Sequence, residues 1–224
     1  VNFGKNKKVN IEYVSANPTG PLHVGHGRGT VFGDVLGNLL EAVGFDVTRE
    51  YYINDGGAQV DILARSVYLR YREALGETIT KNSYDGMYPG DYLILVGKQL
   101  VEKYNDKYKN SPESEWLNIF RKYSIEAMMR SITNDLKAIG VTHDVFFSER
   151  SLVVEGKVDK VIKQLKIKGH IYHGTLEKPK GENSQDEWES RPQLLFSSKD
   201  FGDDTDRPLK KSDGSWTYFA TDIA

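Results

Sequence analysis

The stretch Asn17-Pro18-Thr19-Gly20-Pro21-Leu22-His23-Val24-Gly25-His26-Gly27-Arg28-Gly29 sets the frame for the rest of the chain. Ahead of it, Val9-Asn10-Ile11-Glu12-Tyr13-Val14-Ser15 reads as a strand. Behind it, Thr30 to Val43 reads as a helix closed by Gly44. A strand, a loop rich in Pro and Gly, and a helix that begins at or near two histidines together predict an α/β nucleotide site. A helix start presents unpaired N–H groups and the positive end of a dipole, which suit a phosphate. His23 and His26 are three residues apart and can face one ligand if the turn is helical. Each can donate a hydrogen bond to a phosphate oxygen. Gly25 leaves room for a flat base against the backbone.

Three readings compete for this stretch: a structural loop with two solvated histidines, a zinc site, and a nucleotide site. The chain has no cysteine, and no third histidine or carboxylate stands nearby at a zinc-motif spacing, so no bound metal is expected. Gly25-x-Gly27-x-Gly29, with Glu50 as ribose ligand, invites a dinucleotide version of the nucleotide reading. That version is weak. Thr30 stands where the third glycine belongs, and a long loop separates the strand from the glycines where the fingerprint wants an immediate turn.

Composition narrows the class. Hydrophobic residues make up 38% and charged residues 28% of the 224 positions, as in globular proteins with a sizeable core. The net charge of −2 gives no global basic field, so a nucleic-acid partner would need a local patch. No apolar run approaches the roughly twenty residues needed to span a bilayer, and the first residues of this sequence show no signal-peptide h-region. The chain begins at Val1 and stops at Ala224, inside what reads as the first turn of a helix, so a fragment is expected.

Along the chain, Glu12 breaks an otherwise apolar strand; either the strand end is exposed or Glu12 faces a pocket that takes a cation. Val31, Val35, Leu36, Leu39, Leu40 and Val43 form a stripe at helical spacing and are expected in the core. Asp46 to Ile53 reads as a second strand, which completes a βαβ unit and predicts a parallel pair. Asn54 or Asp55 can cap the next helix, about Ala58 to Leu75, closed by Gly76. The His23–His26 loop and the Asn54–Gln59 loop both fall at the carboxyl ends of strands, where ligands bind open α/β sheets. After a polar linker come two helices: about Asp91 to Tyr108, then one from Ser111-Pro112 to Gly140 whose stripe of Trp116, Ile119, Phe120, Tyr123, Ala127 and Leu136 reads as core. Val145-Phe146-Phe147 is a third strand. Ser151 to Lys168 is an amphipathic helix with Val154, Val158, Val161, Ile162 and Leu165 inward and Lys157, Lys160, Lys163, Lys166 and Lys168 outward. Four short strand-like runs follow: His170–Glu177, Gln193–Ser197, Leu209–Lys211 and Ser215–Tyr218. The polar stretch Lys178 to Arg191 separates the first two, and a Ser212-Asp213-Gly214 turn joins the last two, which predicts a small antiparallel insert. His170 and His173 would not share a face in a strand, so they predict no metal site.

His23-Val24-Gly25-His26 resembles the His-x-Gly-His signature of class I aminoacyl-tRNA synthetases. Four further segments occur in the order seen in arginyl-tRNA synthetases: Glu12 to Pro18, Asn54 to Gln59, Asp200-Phe201-Gly202-Asp203-Asp204, and Tyr218-Phe219-Ala220-Thr221-Asp222-Ile223-Ala224. The resemblance covers nearly the whole chain. It implies a Rossmann-like parallel sheet, the first half of a class I catalytic domain, with helical and small antiparallel β inserts. The implied parts are 1–168 with a helical insertion at about 77–140, a β-rich connective insert at 169–214, and a return to the catalytic domain at 215–224. The implied activity is ATP-dependent ligation of L-arginine to its tRNA through arginyl-adenylate, with Mg2+ accompanying ATP, in a cytoplasmic monomer. The family's motif carries His23 and His26 over as catalytic residues, with Pro18, Gly20 and Gly25 beside them at ATP. It carries Glu12, Asn17, Gln59, Tyr218 and Asp222 over to the arginine. No Lys-Met-Ser-Lys-like loop occurs in these residues, so alone they are expected to be inactive. A related His-x-Gly-His nucleotidyltransferase, or a non-catalytic RNA-binding module derived from a synthetase, are the alternatives.

Overall fold

Lys8–Glu12 (β1) lays Val9 and Ile11 inward and Lys8, Asn10 and Glu12 outward, the period-two alternation of a half-buried strand. The structure is a computed structural model and describes residues 2–176 and 191–224. Asp46–Ile53 (β2) runs parallel to β1, from Lys8 opposite Asp46 to Glu12 opposite Glu50. Val145–Ser148 (β3) continues the parallel sheet on the far side of β2, giving the order β1-β2-β3. The expected parallel pair and third strand are therefore present. β1 ends at Glu12 rather than Ser15. Val14 and Ser15 take φ of +67° and +39°, which turns the chain off the sheet. Two bonds from β2 hold this turn: the Tyr51 hydroxyl donates to Ala16 O (2.8 Å) and the Tyr52 N–H to Ser15 Oγ (3.0 Å).

The following helix, α1, spans Val24–Ala42 and so begins six residues before Thr30. Gly25, Gly27 and Gly29 are helical. Their low propensity, about 1 kcal/mol each against Ala, is what hid the first turns from a propensity reading. The stripe expected in the core is not there: Val31, Val35, Leu36 and Leu39 are exposed and Leu40 and Val43 half-buried. With Arg28 and Phe32, the four exposed residues line a surface groove. The buried face is instead Thr30, Gly33 and Gly37. A Cβ on Gly33 would lie 2.2 Å from the Tyr13 ring, and one on Gly37 3.1 Å from the Arg49 guanidinium, so small residues let the helix sit close on the sheet. Arg49 is itself held by both oxygens of Glu41 (2.7 and 2.9 Å) and by Asn38 Oδ1 (2.9 Å).

The main core lies among Gln59–Ala74 (α2), Tyr92–Tyr104 (α3) and Glu113–Ala138 (α4). Leu63, Val67 and Tyr71 of α2 meet Leu93, Val96 and Leu100 of α3 and Trp116, Phe120 and Met128 of α4. Tyr68 stacks on Trp116 at 3.9 Å. The aromatic stripe of α4 is core, as its spacing predicts; farther along, Ile132 and Leu136 reach the sheet at Tyr13 and Tyr51. Neither Asn54 nor Asp55 caps α2. Ala58 stands at that position without a side-chain bond, and Asp55 accepts from Ser148 Oγ (2.7 Å).

The chain divides into two compact units, Val1–Ser148 and Glu149–Ala224. In the second, the single helix expected over Ser151–Lys168 is two, Glu149–Val154 (α5) and Lys157–Ile167 (α6). Gly156, at φ +67°, breaks it. The break leaves Val154 exposed, against expectation, while Val158 and Ile162 are buried. The five lysines from Lys157 to Lys168 are exposed. Ile171–Gly174 (β4), Gln193–Phe196 (β5) and Arg207–Pro208 (β6) form the antiparallel sheet, in that order. Glu177 and the polar stretch 178–190 lie outside the described residues. A bridge between Lys210 and Trp216 closes the turn at Gly214. Tyr218–Asp222 (α7) is helical, and Tyr218 begins that helix rather than ending a strand. No helix among the described residues is long and apolar enough to cross a membrane.

Candidate active site

His23 is the N-cap of α1. Its Nδ1 accepts from the Gly25 N–H (3.1 Å), and His26 Nδ1 accepts from the His23 N–H (3.3 Å). The two imidazoles form a reciprocal cap of the kind usually built from Ser or Thr with Glu. Their rings stack at 3.8 Å with 22° between planes, so both lie on one side of the helix start. With each Nδ1 occupied as an acceptor, the neutral rings carry their protons on Nε2, which leaves one ring donor per histidine for a ligand. Burial, reinforced by His23 alongside, holds His26 below the usual histidine range. Gly25 has a local reason: a Cβ there would stand 2.9 Å from His23 Cε1 and 3.0 Å from Nδ1. The space read from sequence as room for a base is bordered by the His23 ring itself.

The preceding loop is pinned from both ends. Asn17 is exposed and its carbonyl accepts from Thr19 N–H (2.7 Å); Pro18 is buried. From α3, the Tyr92 hydroxyl donates to Thr19 O (2.8 Å). Glu12 is exposed at the end of β1, so its charge needs no partner there. At the end of β2, Asn54 Oδ1 and Gln59 Nε2 are buried and meet no hydrogen-bond partner among the described residues. Such orphaned groups favour a polar ligand. The parallel register puts both loops at the carboxyl edge of the sheet. Within the second unit, Tyr218 and Asp222 open and close α7, four residues apart and both exposed. Thr217 caps that helix, and the Thr221 hydroxyl lies 3.0 Å from the buried Glu149 Oε1. Among the described residues, no group of three or more His, Asp and Glu side chains could hold a metal ion.

Sequence reasoning brought His23 and His26 forward but missed Tyr92, Ser15, Tyr51 and Glu149. A tyrosine in an aromatic-rich helical segment carries no local signal that its hydroxyl reaches a loop 73 residues away. The two positive-φ residues after β1 are equally silent, because Val is a strand former.

The family model described as tRNA synthetases class I (R), catalytic domain, matches residues 1–224. This chain belongs to the arginyl-tRNA synthetase catalytic-domain family. An arginine–tRNA ligase of Roseobacter denitrificans is 61% identical over 222 residues, which is 99% of this chain and 38% of that protein. One from Beijerinckia indica is 61% identical over 221 residues, 97% of this chain and 37% of its own length. The chain thus spans under two-fifths of the relatives it matches. A Campylobacter jejuni structure assigned as an arginyl-tRNA synthetase superposes with a TM-score of 0.76 at 31% identity, covering 99% of this chain and 45% of that one. A Thermus thermophilus arginyl-tRNA synthetase shares the fold at a TM-score of 0.62 and 20% identity. Arginyl-tRNA synthetases thus give the Rossmann-like reading of the parallel sheet its family, and the two alternative functions have no support beside it.

Proposed function

We propose that this synthetase-family chain carries the ATP- and arginine-binding part of an enzyme that charges tRNA with L-arginine in the cytoplasm. The observation that carries the reading is the stacked His23–His26 cap at the start of α1, in a chain whose whole length matches the family. Mg2+–ATP enters as substrate. The arginine carboxylate attacks the α-phosphorus, the bond to the β-phosphate oxygen breaks, and pyrophosphate leaves. No protein nucleophile is needed, so the protein's part is positioning and charge stabilisation. His23 and His26 donate from Nε2 to phosphate oxygens as charge builds, with the helix N-terminus behind them. Gly25 keeps His23 in place, and Pro18 and Gly20 shape the loop beside ATP. Glu12, Asn17 and Gln59 receive the arginine at the sheet edge; Tyr218 and Asp222 receive its guanidinium. The arginyl group then passes to the tRNA.

ATP–pyrophosphate exchange by the complete gene product, with tRNA present, tests this. Exchange that depends on arginine and not on lysine is the expected result. Exchange independent of any amino acid would assign the site to another nucleotidyltransfer reaction.

A further inference from the structure

We infer that Tyr92, on the helical insertion, is a positioning residue for the loop that precedes the His23–His26 cap. The inference rests on the arginine-activation reading above. The Tyr92 hydroxyl donates to the Thr19 carbonyl at 2.8 Å. Two glycines make room for its ring, one in each segment. A Cβ on Gly20 would lie 3.2 Å from the Tyr92 Oη and 3.4 Å from Cζ, and one on Gly90 2.1 Å from Cε1. The ring and Pro21 also border one cavity of about 220 Å³, with Gln99, Arg130 and Ser131 on its polar side.

The geometry makes a strut. α3 is fixed by the core it shares with α2 and α4, where Leu93, Val96 and Leu100 are at most 4% exposed. Tyr92 opens that helix and so inherits its rigidity. The loop leaves the sheet through two left-handed residues, Val14 and Ser15, and carries Asn17 in solvent. Tyr51 and Ser15 tie its first residues to β2, and Tyr92 ties its last before Pro21 and the cap. Burial pushes the Tyr92 hydroxyl above the usual tyrosine range, so it stays a donor throughout the neutral range. Since Asn17, Pro18 and Gly20 flank Thr19, a shift in this carbonyl moves the residues assigned to ATP and arginine together. That coupling gives the helical insertion a part in catalysis without touching substrate.

Tyr92→Phe in the complete gene product isolates the hydroxyl. Arginine-dependent kcat should fall about tenfold while KM for ATP and for arginine stays within about twofold, because the lost bond serves orientation. The thermal midpoint should not move, since the ring still fills its place. Amide exchange at residues 19–22 should quicken while α2–α4 keep their protection. Gly20→Ala should cost rate in the wild type and less in the Tyr92→Phe background, where the 3.2 Å contact is gone. Wild-type kcat in Tyr92→Phe overturns the inference, as does a rise in both KM values with a lower thermal midpoint, which would mark a structural role alone. A wild-type enzyme with no arginine-dependent exchange overturns the functional reading instead, and this inference with it.

Discussion

At the scale of single residues, each cap histidine uses Nδ1 to complete the helix start, which leaves Nε2 as its ring donor. Gly25 is the residue that makes this possible. Gly25→Ala would place a methyl 2.9 Å from His23 Cε1 and push the ring off its cap. The expected result in the complete gene product is a loss of adenylate-formation rate of about 10²-fold, the scale of removing one transition-state donor, with arginine affinity little changed; stopped-flow and calorimetry read the two. His23 and His26 were legible as a pair because the motif is short and local. Their stacking was not, since it depends on where the helix begins. His143 shows the opposite case, a histidine no motif marked. Its ring lies 4.3 Å from the Tyr13 ring and 5.5 Å edge-on from the Tyr51 ring. Burial holds it below the usual histidine range, as it does His26. A histidine whose folded value is depressed binds fewer protons folded than unfolded. Stability from both groups is therefore complete above the unfolded value of about 6.5 and is lost as pH falls through and below it. Urea melts of the chain between pH 7.5 and 5 should show that decline, and His143→Phe should flatten part of it.

At the scale of elements, periodicity told most helices and the three parallel strands, but not the short runs at 209–211 and 215–218, which make only an isolated bridge, nor the covered face of α1. Residues 30–43 have an apolar stripe, yet α1 turns its glycines to the sheet, because Tyr13 and Arg49 need the space that Gly33 and Gly37 leave. The α5–α6 break was invisible for a related reason: one glycine inside a lysine-rich amphipathic pattern reads as tolerated until its φ is known. The core face of α4, by contrast, was legible from the spacing of Trp116 and Phe120, since large aromatic side chains leave few alternatives for burial. These arguments separate the glycines of α1. Gly33→Ala should destabilise the chain by about 1–3 kcal/mol through overpacking against the Tyr13 ring. Gly29→Ala meets nothing within 4 Å and should stabilise it by about 0.5–1 kcal/mol through helix propensity. Chemical denaturation of the two variants checks the sign of each; equal effects would mean that the close approach of α1 to β1 is not what those glycines serve.

At the scale of the whole molecule, the residues we propose for arginine come from both ends of the sequence. Glu12 ends β1 of the first unit, and Tyr218 and Asp222 lie on α7 of the second. The order of these segments was legible through their family likeness alone; no spacing rule links positions 12 and 222. The chemistry proposed for Asp222 is nevertheless specific. A carboxylate such as Asp222 can accept two parallel hydrogen bonds from a guanidinium, a geometry the lysine ammonium cannot copy. The buried Glu149 beside Thr221 steadies the short helix that presents it, so the backbone of Asp222 is held while its side chain is exposed. Removing one partner of a desolvated, hydrogen-bonded charge pair costs about 2–5 kcal/mol. Asp222→Ala in the complete gene product should therefore weaken arginine binding at least about 30-fold, with ATP binding little changed. Asp222→Asn, which keeps the shape but not the charge, should fall between the two. Calorimetry with arginine and with lysine measures both the affinity and the discrimination. Intact arginine binding in Asp222→Ala would remove the carboxylate from the guanidinium site and leave Glu12 as the charge that selects the substrate.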